Sequence, residues 1–297
     1  LIRQPQPPGR TSAVSAARAL VLAPHFDDEV LGCGGLLCRL AAAGSEVRLV
    51  FLTDGSGGVE EIGDRAHYAA RRAGEAAQVA ELLGCASVVF AGLRDGALAE
   101  ARSEAARVIR RELLAERPNL VLVPSPLEVS ADHRAAFAAL HDALSGSAAP
   151  LAELRQELGV WLYEVNHPGY PDLLIDVSDC RGTLERAMAI YASQEERHPY
   201  LRAALGLRQF RTHTLSPAVE LAEGYRCLTA ADFAARDLAA LVAEVGGSVP
   251  ELEETVRRTY GEIERLNGQI RAMEATRAWR LHRWVERLRS ALGRGAR

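Results

Sequence analysis

Short apolar runs rich in β-branched residues alternate with longer helical patterns through the first 180 residues of the chain. The runs lie at 19–24, 47–53, 87–91, 119–124, 159–165 and 172–177, and helical patterns fill 30–43, 64–83, 97–116 and 131–144. This alternation predicts an α/β fold with a mainly parallel sheet, because parallel neighbours need a crossover and a helix is the usual one. Right-handed crossovers make a doubly wound, Rossmann-like order with helices on both faces the expected arrangement. In such a sheet, ligands bind beyond the carboxyl ends of the strands, where the strand order reverses. Residues 179–240 read as helices with a polar connection around 194–217.

The first apolar run, Ala19-Leu20-Val21-Leu22-Ala23, leads directly into Pro24-His25-Phe26-Asp27-Asp28-Glu29. One imidazole and three carboxylates crowded against a core strand are costly to desolvate unless something compensates their charge. A divalent cation does so, and His with Asp is a good zinc pair. The fourth run belongs on the other side of the expected switch point, and a short loop joins it to Ser130-Ala131-Asp132-His133. Topology thus brings together segments about a hundred residues apart. His25, Asp28 and His133 form an expected three-ligand site with one position left for water, which is the catalytic form of zinc.

Composition removes several alternatives. All 35 basic residues are arginines, which excludes Schiff-base lysine chemistry and a lysine-bearing phosphate loop. The five cysteines (33, 38, 85, 180 and 227) form no CxxC pair and read as reduced thiols in a cytoplasmic protein. No apolar run reaches the roughly 18 residues of a membrane span. Residues 1–18 read as a flexible lead-in without the apolar core of a signal peptide. A domain over 19–245 follows, then a hinge at Gly246-Gly247-Ser248-Val249-Pro250 and a helix over 251–297.

Pro-His-x-Asp-Asp-Glu followed by glycines at a helix start resembles the PIG-L/LmbE family of zinc-dependent N-acetylglucosaminyl deacetylases. The resemblance continues through Arg72-x-x-Glu75, Gly92-Leu93-Arg94-Asp95-Gly96, Asp132-His133-Arg134 and Tyr191-Ala192-Ser193-Gln194, in the family's order. It implies zinc held by His25, Asp28 and His133, with Asp27 as general base, and removal of an acetyl group from an amino sugar in a glycoconjugate or cell-surface glycan precursor. The chemistry agrees, since metal-bound water reaches a pKa of about 7 and a neighbouring carboxylate completes its deprotonation. Arg72, Asp95, Ser130, Asp132 and Glu29 are the candidates for substrate contact or for orienting the ligands.

The chain departs from the family's His-x-Asp-His pattern by placing Ser130 where the first histidine, the oxyanion-stabilising one, is expected. His167 and His213 are candidates to replace it from another loop. The departure also opens a second reading, a glycan-binding or scaffolding homologue of low or no activity. A third reading is an NAD-binding oxidoreductase, because Gly32-x-Gly34 follows a strand and Asp54 lies about twenty residues on. Leu37 replaces the last glycine of that fingerprint, and the intervening acids would repel a pyrophosphate.

Residues 271–297 carry eight arginines against Glu274 and Glu286, although the whole chain is −4. Leu252, Val256, Ile263, Leu266, Ile270 and Met273 follow heptad spacing, and Trp279, Leu281, Trp284 and Leu288 continue an apolar stripe. Such a helix suits an anionic membrane surface, at the inner face of the membrane, or a coiled-coil contact with a second copy of the chain. Nucleic acid is not an expected partner, since the remainder of the chain is acidic and holds no recognition module.

Overall fold

The structure is a computed structural model describing residues 8–11, 13–57, 65–246 and the four positions 261, 265, 266 and 269. The chain divides into two units, Leu1–Ser248 and Val249–Arg297, and every element named below belongs to the first. The four described positions of the second unit are helical, and the rest of the helix expected over 251–297 lies outside the described residues.

Eight strands form a single sheet: β1 (Gly9–Thr11), β2 (Arg18–Ala23), β3 (Glu46–Thr53), β4 (Ser87–Leu93), β5 (Leu120–Pro124), β6 (Gly159–Tyr163), β7 (Leu173–Asp176) and β8 (Ala222–Thr229). Their order is β1-β7-β8-β6-β5-β2-β3-β4. The stretch β4-β3-β2-β5-β6 is parallel throughout and reverses direction of growth between β2 and β5, as the alternation of runs leads one to expect. β2 and β5 are the two strands that flank the crevice.

Helices α1 (Asp28–Ala42), α2 (Arg65–Leu82), α6 (Arg181–Ile190), α7 (Ala192–Glu195) and α8 (Tyr200–Phe210) lie towards one side. On the other are α3 (Arg102–Glu116), α4 (Ala131–Leu144), α5 (Ala149–Glu157), α9 (Ala230–Ala235) and α10 (Leu238–Val245). Each face of the sheet therefore has its own core. Ala19, Val21 and Ala23 of β2 enter the core that holds α1 and α2, while Leu20 and Leu22 enter the core that holds α3 and α4. That double burial explains why β2 and β5 read as continuous apolar runs rather than alternating ones.

Two stretches depart from the sequence reading. Part of the 1–18 lead-in is paired: Gly9–Thr11 runs parallel to Leu173–Ile175 at the sheet edge. Within 179–240, read as helical, Ala222–Thr229 is a strand, antiparallel to both of its neighbours. Glu223, Gly224 and Arg226 break its apolar pattern. Glu223 nevertheless points inward, where its carboxylate accepts the backbone N–H groups of Gly35 (2.8 Å) and Leu36 (2.9 Å) and pairs with Arg208 at 2.6 Å. A buried acid so fully engaged is stable in a core, although a hydrophobic pattern does not announce it.

The glycines of α1 serve packing. A Cβ on Gly32 would lie 2.2 Å from the Tyr163 ring, and one on Gly35 would lie 2.6 Å from Val177. Both sit inside a helix that has already begun at Asp28, so they form no phosphate-cradling loop ahead of it. They let α1 lie close to the sheet, and this places its first turn at the crevice.

Candidate metal centre

β2 ends at Ala23, and the next residue is tied down by Thr53, whose backbone N–H (3.0 Å) and hydroxyl (2.7 Å) both donate to the Pro24 carbonyl. The chain then turns sharply. Asp27 adopts φ 129°, a conformation rare outside glycine and costly enough to need support from its surroundings. Arg72 of α2 supplies some of that support by donating to the carbonyls of Phe26 (2.7 Å) and Gly55 (2.9 Å). The kink lets His25, Asp27 and Asp28 present their side chains at one end of the sheet.

His133, in the first turn of α4, meets them from the far side of the switch point. His25 Nδ1 lies 3.2 Å from Asp28 Oδ2, His133 Nε2 lies 3.1 Å from Asp28 Oδ1, and the two ring nitrogens are 3.3 Å apart. Four donors at zinc–ligand bond lengths around a tetrahedral ion stand about 3.4 Å from one another. The three groups are therefore spaced to share one ion, and their donor atoms lie within 4.8 Å of one another. Two imidazole nitrogens and one carboxylate oxygen also form a donor set that suits zinc.

Each imidazole has a carboxylate on its other nitrogen. His25 Nε2 faces Asp132 Oδ2 at 3.1 Å and Asp95 Oδ1 at 3.4 Å. Asp132 is fixed in turn by the backbone N–H groups of Gly96 (2.7 Å) and Leu98 (3.0 Å). His133 Nδ1 faces Glu128 Oε2 at 3.4 Å, and Glu128 accepts the N–H groups of Val165 (2.7 Å) and Asn166 (2.9 Å). Carboxylates placed this way orient a ligating ring and raise its basicity.

The electrostatics follow from this crowding. Burial alone would lower both histidines. For His25, hydrogen bonds to Asp132 and Asp28 outweigh it and hold the ring well above its ordinary value. For His133, the charge and hydrogen bond of Asp28, with Glu128 behind, hold the ring at about 9. Asp28 is pulled down by both rings against its own burial. Asp27 is pushed up to about 7, by burial first and then by the Asp28 charge, with Arg72 opposing from 3.8 Å. Glu29 reaches about 8, again mainly through burial, although the Tyr191 hydroxyl donates to it at 2.6 Å.

These groups open onto a cavity of about 240 Å³. Of the other sequence candidates, Arg72, Asp95 and Ser130 line it as well. Arg72 does not pair with Glu75, which instead accepts from Arg71 and Ser193. Asp95 accepts the Gly57 N–H at 3.0 Å. Asp132 and Glu29 stand behind the wall, on His25 and Tyr191. Asp54 accepts the N–H groups of Ser56 and Asp95, which makes it a turn residue. Neither His167 nor His213, the candidates to stand in for the histidine replaced by Ser130, lines the cavity.

Sequence reasoning missed Glu128, a lone acid in the β5–α4 loop that no spacing rule singles out. It also missed Asn166, Arg197 and Tyr200, which line the cavity from the β6–β7 connection and the α7–α8 segment. Gln194, quoted within a motif but given no role, lines it too and donates to the Tyr68 hydroxyl.

Residues 20–144 match the family model described as GlcNAc-PI de-N-acetylase. The chain is 31% identical over 228 residues to the diacetylchitobiose deacetylase of Thermococcus kodakarensis, covering 70% of this chain and 84% of that protein. It belongs to the PIG-L family of de-N-acetylases. The N,N'-diacetylchitobiose deacetylase of Pyrococcus horikoshii, solved with an inhibitor, superposes with a TM-score of 0.59 at 26% identity, over 76% of this chain and 89% of that one. A conserved protein from Thermus thermophilus superposes at 0.55 with 29% identity, over 70% and 93% of the two chains. The two relatives named for an activity are N-deacetylases, a hydrolase class. Among the described residues, no helix is long and apolar enough to cross a membrane.

Proposed function

We propose that this chain hydrolyses the N-acetyl group of an N-acetylglucosamine-type sugar in a glycoconjugate or surface-glycan precursor, with zinc held by His25, Asp28 and His133. The observation that carries the reading is the convergence of those three donors beside Asp27, whose carboxyl is tuned to about 7. A general base works best when its pKa lies near the working pH. Family membership and the diacetylchitobiose deacetylases among the relatives support the amino-sugar substrate.

A divalent cation bound there would polarise the amide carbonyl and make water more acidic. The chain's own residues do the rest. Asp27 takes the proton of the attacking water and later returns it to the departing nitrogen, so that acetate and a free amine are released. Asp27, at its strained backbone position, lines the same cavity as the three donor residues. Arg72, spent on two carbonyls, holds that strain and keeps Asp27 from rising further. Asp95 offers an acceptor to a sugar hydroxyl at the cavity wall. The test is to incubate zinc-loaded protein with a panel of N-acetylglucosaminides and assay free acetate. Acetate release that a chelator abolishes and zinc restores is expected. Glycan binding without acetate release would favour the scaffolding homologue.

A further inference from the structure

Addition of water to an amide moves a pair of electrons onto the carbonyl oxygen, and donors placed where that charge develops are worth a large part of the catalysis. Most polar groups around the cavity are already spent. The two imidazoles face carboxylates, Arg72 donates to Gly55 and Phe26, and the Gln194 amide donates to Tyr68 and Ser193. Ser130, Asn166 and Tyr200 also line the cavity, and their side chains make no hydrogen bond to a described protein group; Asn166 is exposed. Tyr200 feels the charge of Asp27 and belongs with the base.

Ser130 and Asn166 lie on the opposite side of the switch point from Asp27. Ser130 lies in the loop after β5 and immediately precedes α4, and its side chain makes no capping bond although its type commonly does. It precedes His133 by three positions, and both line the cavity. Asn166 follows β6, and its backbone N–H is held by the same Glu128 oxygen that faces His133 Nδ1. One carboxylate thus sets both the ligand ring and the residue beside it. Asp27 and the two donors thus line one cavity together with the cation's donor residues, Asp27 from the β2 side and Ser130 and Asn166 from the β5 side.

We propose that the Asn166 carboxamide, assisted by the Ser130 hydroxyl, donates to the carbonyl oxygen as it becomes an oxyanion. This inference rests on the deacetylase reading above. As water's oxygen bonds to the amide carbon and its proton passes to Asp27, the C=O π pair moves to oxygen and Asn166 N–H stabilises it. The C=O then re-forms, the C–N pair leaves on nitrogen, and nitrogen takes the proton from Asp27.

The test compares Asn166→Ala and Asn166→Asp with wild type in kcat, KM, zinc content, Tm and affinity for a methylphosphonamidate of glucosamine, a tetrahedral mimic of the intermediate. Both variants should lower kcat by about 10²- to 10³-fold with KM, zinc content and Tm little changed, and weaken the mimic by a similar factor. Asn166→Asp keeps the shape and loses the donor, so a packing role would survive it. Ser130→Ala should cost about tenfold or less. Asn166 variants within about threefold of wild type in kcat and mimic affinity would overturn the proposal while leaving the deacetylase reading intact. A zinc-loaded wild type that neither releases acetate nor binds the mimic would bring down both.

Discussion

The two sides of the switch point reach the same cluster by different means. On the β2 side, His25, Asp27 and Asp28 lie within four consecutive positions, and the proposed base sits at a strained turn between the two proposed ligands. On the β5 side a single proposed ligand, His133, comes from a helix, and the residues that fix it come from two loops. His25 presents Nδ1 to the common point and His133 presents Nε2. The loop residue sits close and uses its near nitrogen, whereas the helix residue reaches across and uses its far one. In both cases the spare nitrogen finds a buried carboxylate. In the proposed reading the base comes from the β2 side, whereas the carboxylates that orient the rings and the oxyanion donors come from the β5 side.

The largest effect expected from breaking that division is Asp27→Asn, which should lower turnover by about 10²- to 10⁴-fold and leave bound zinc unchanged. Metal analysis beside an acetate assay checks it, and unchanged turnover would remove Asp27 as the base. Next come the orienting carboxylates. Glu128→Gln and Asp132→Asn should each weaken zinc binding by about 10- to 100-fold, measured by competition with a chromogenic chelator. Glu128→Gln should also disturb Asn166, so it should lower kcat in zinc-saturated protein more than Asp132→Asn does. Equal kcat for the two would mean that Glu128 does not act through Asn166.

The smallest effect concerns stability against pH in metal-free protein. His133 is held at about 9, above its unfolded value near 6.5, so its contribution is full below that value and is lost as pH rises through about 9. Asp27, at about 7, and Glu29, at about 8, are also raised, mainly by burial, and both disfavour the fold once ionised. All three have the same sign. Metal-free protein should therefore lose several °C of Tm between roughly pH 6 and 9, and zinc should restore most of it at the upper end, where the ligands have fewer protons to give up. A Tm flat across that range, with or without zinc, would show that the cluster is less buried than described.

The sequence carried the parallel stretch β4-β3-β2-β5-β6, whose strands appear as apolar runs, with β2 and β5 unbroken because both of their faces are buried. It carried the ligands on the β2 side because three acids and an imidazole in one short segment have no cheap alternative explanation. His133 was legible through topology and through the resemblance carried by Asp132-His133-Arg134. Glu128 and Asn166 were not, because a single acid or amide in a loop has no period and acquires meaning only from what folding sets beside it. β8 was hidden by Glu223, which reads as a surface acid until Arg208 and the α1 backbone are seen around it.

The most direct test of a cation shared across the switch point is an anomalous-scattering map from crystals grown with zinc. One peak is expected, about 2.0–2.2 Å from His25 Nδ1, an Asp28 oxygen and His133 Nε2. No peak at that point, or a peak instead among His25 Nε2, Asp95 and Asp132, would contradict it.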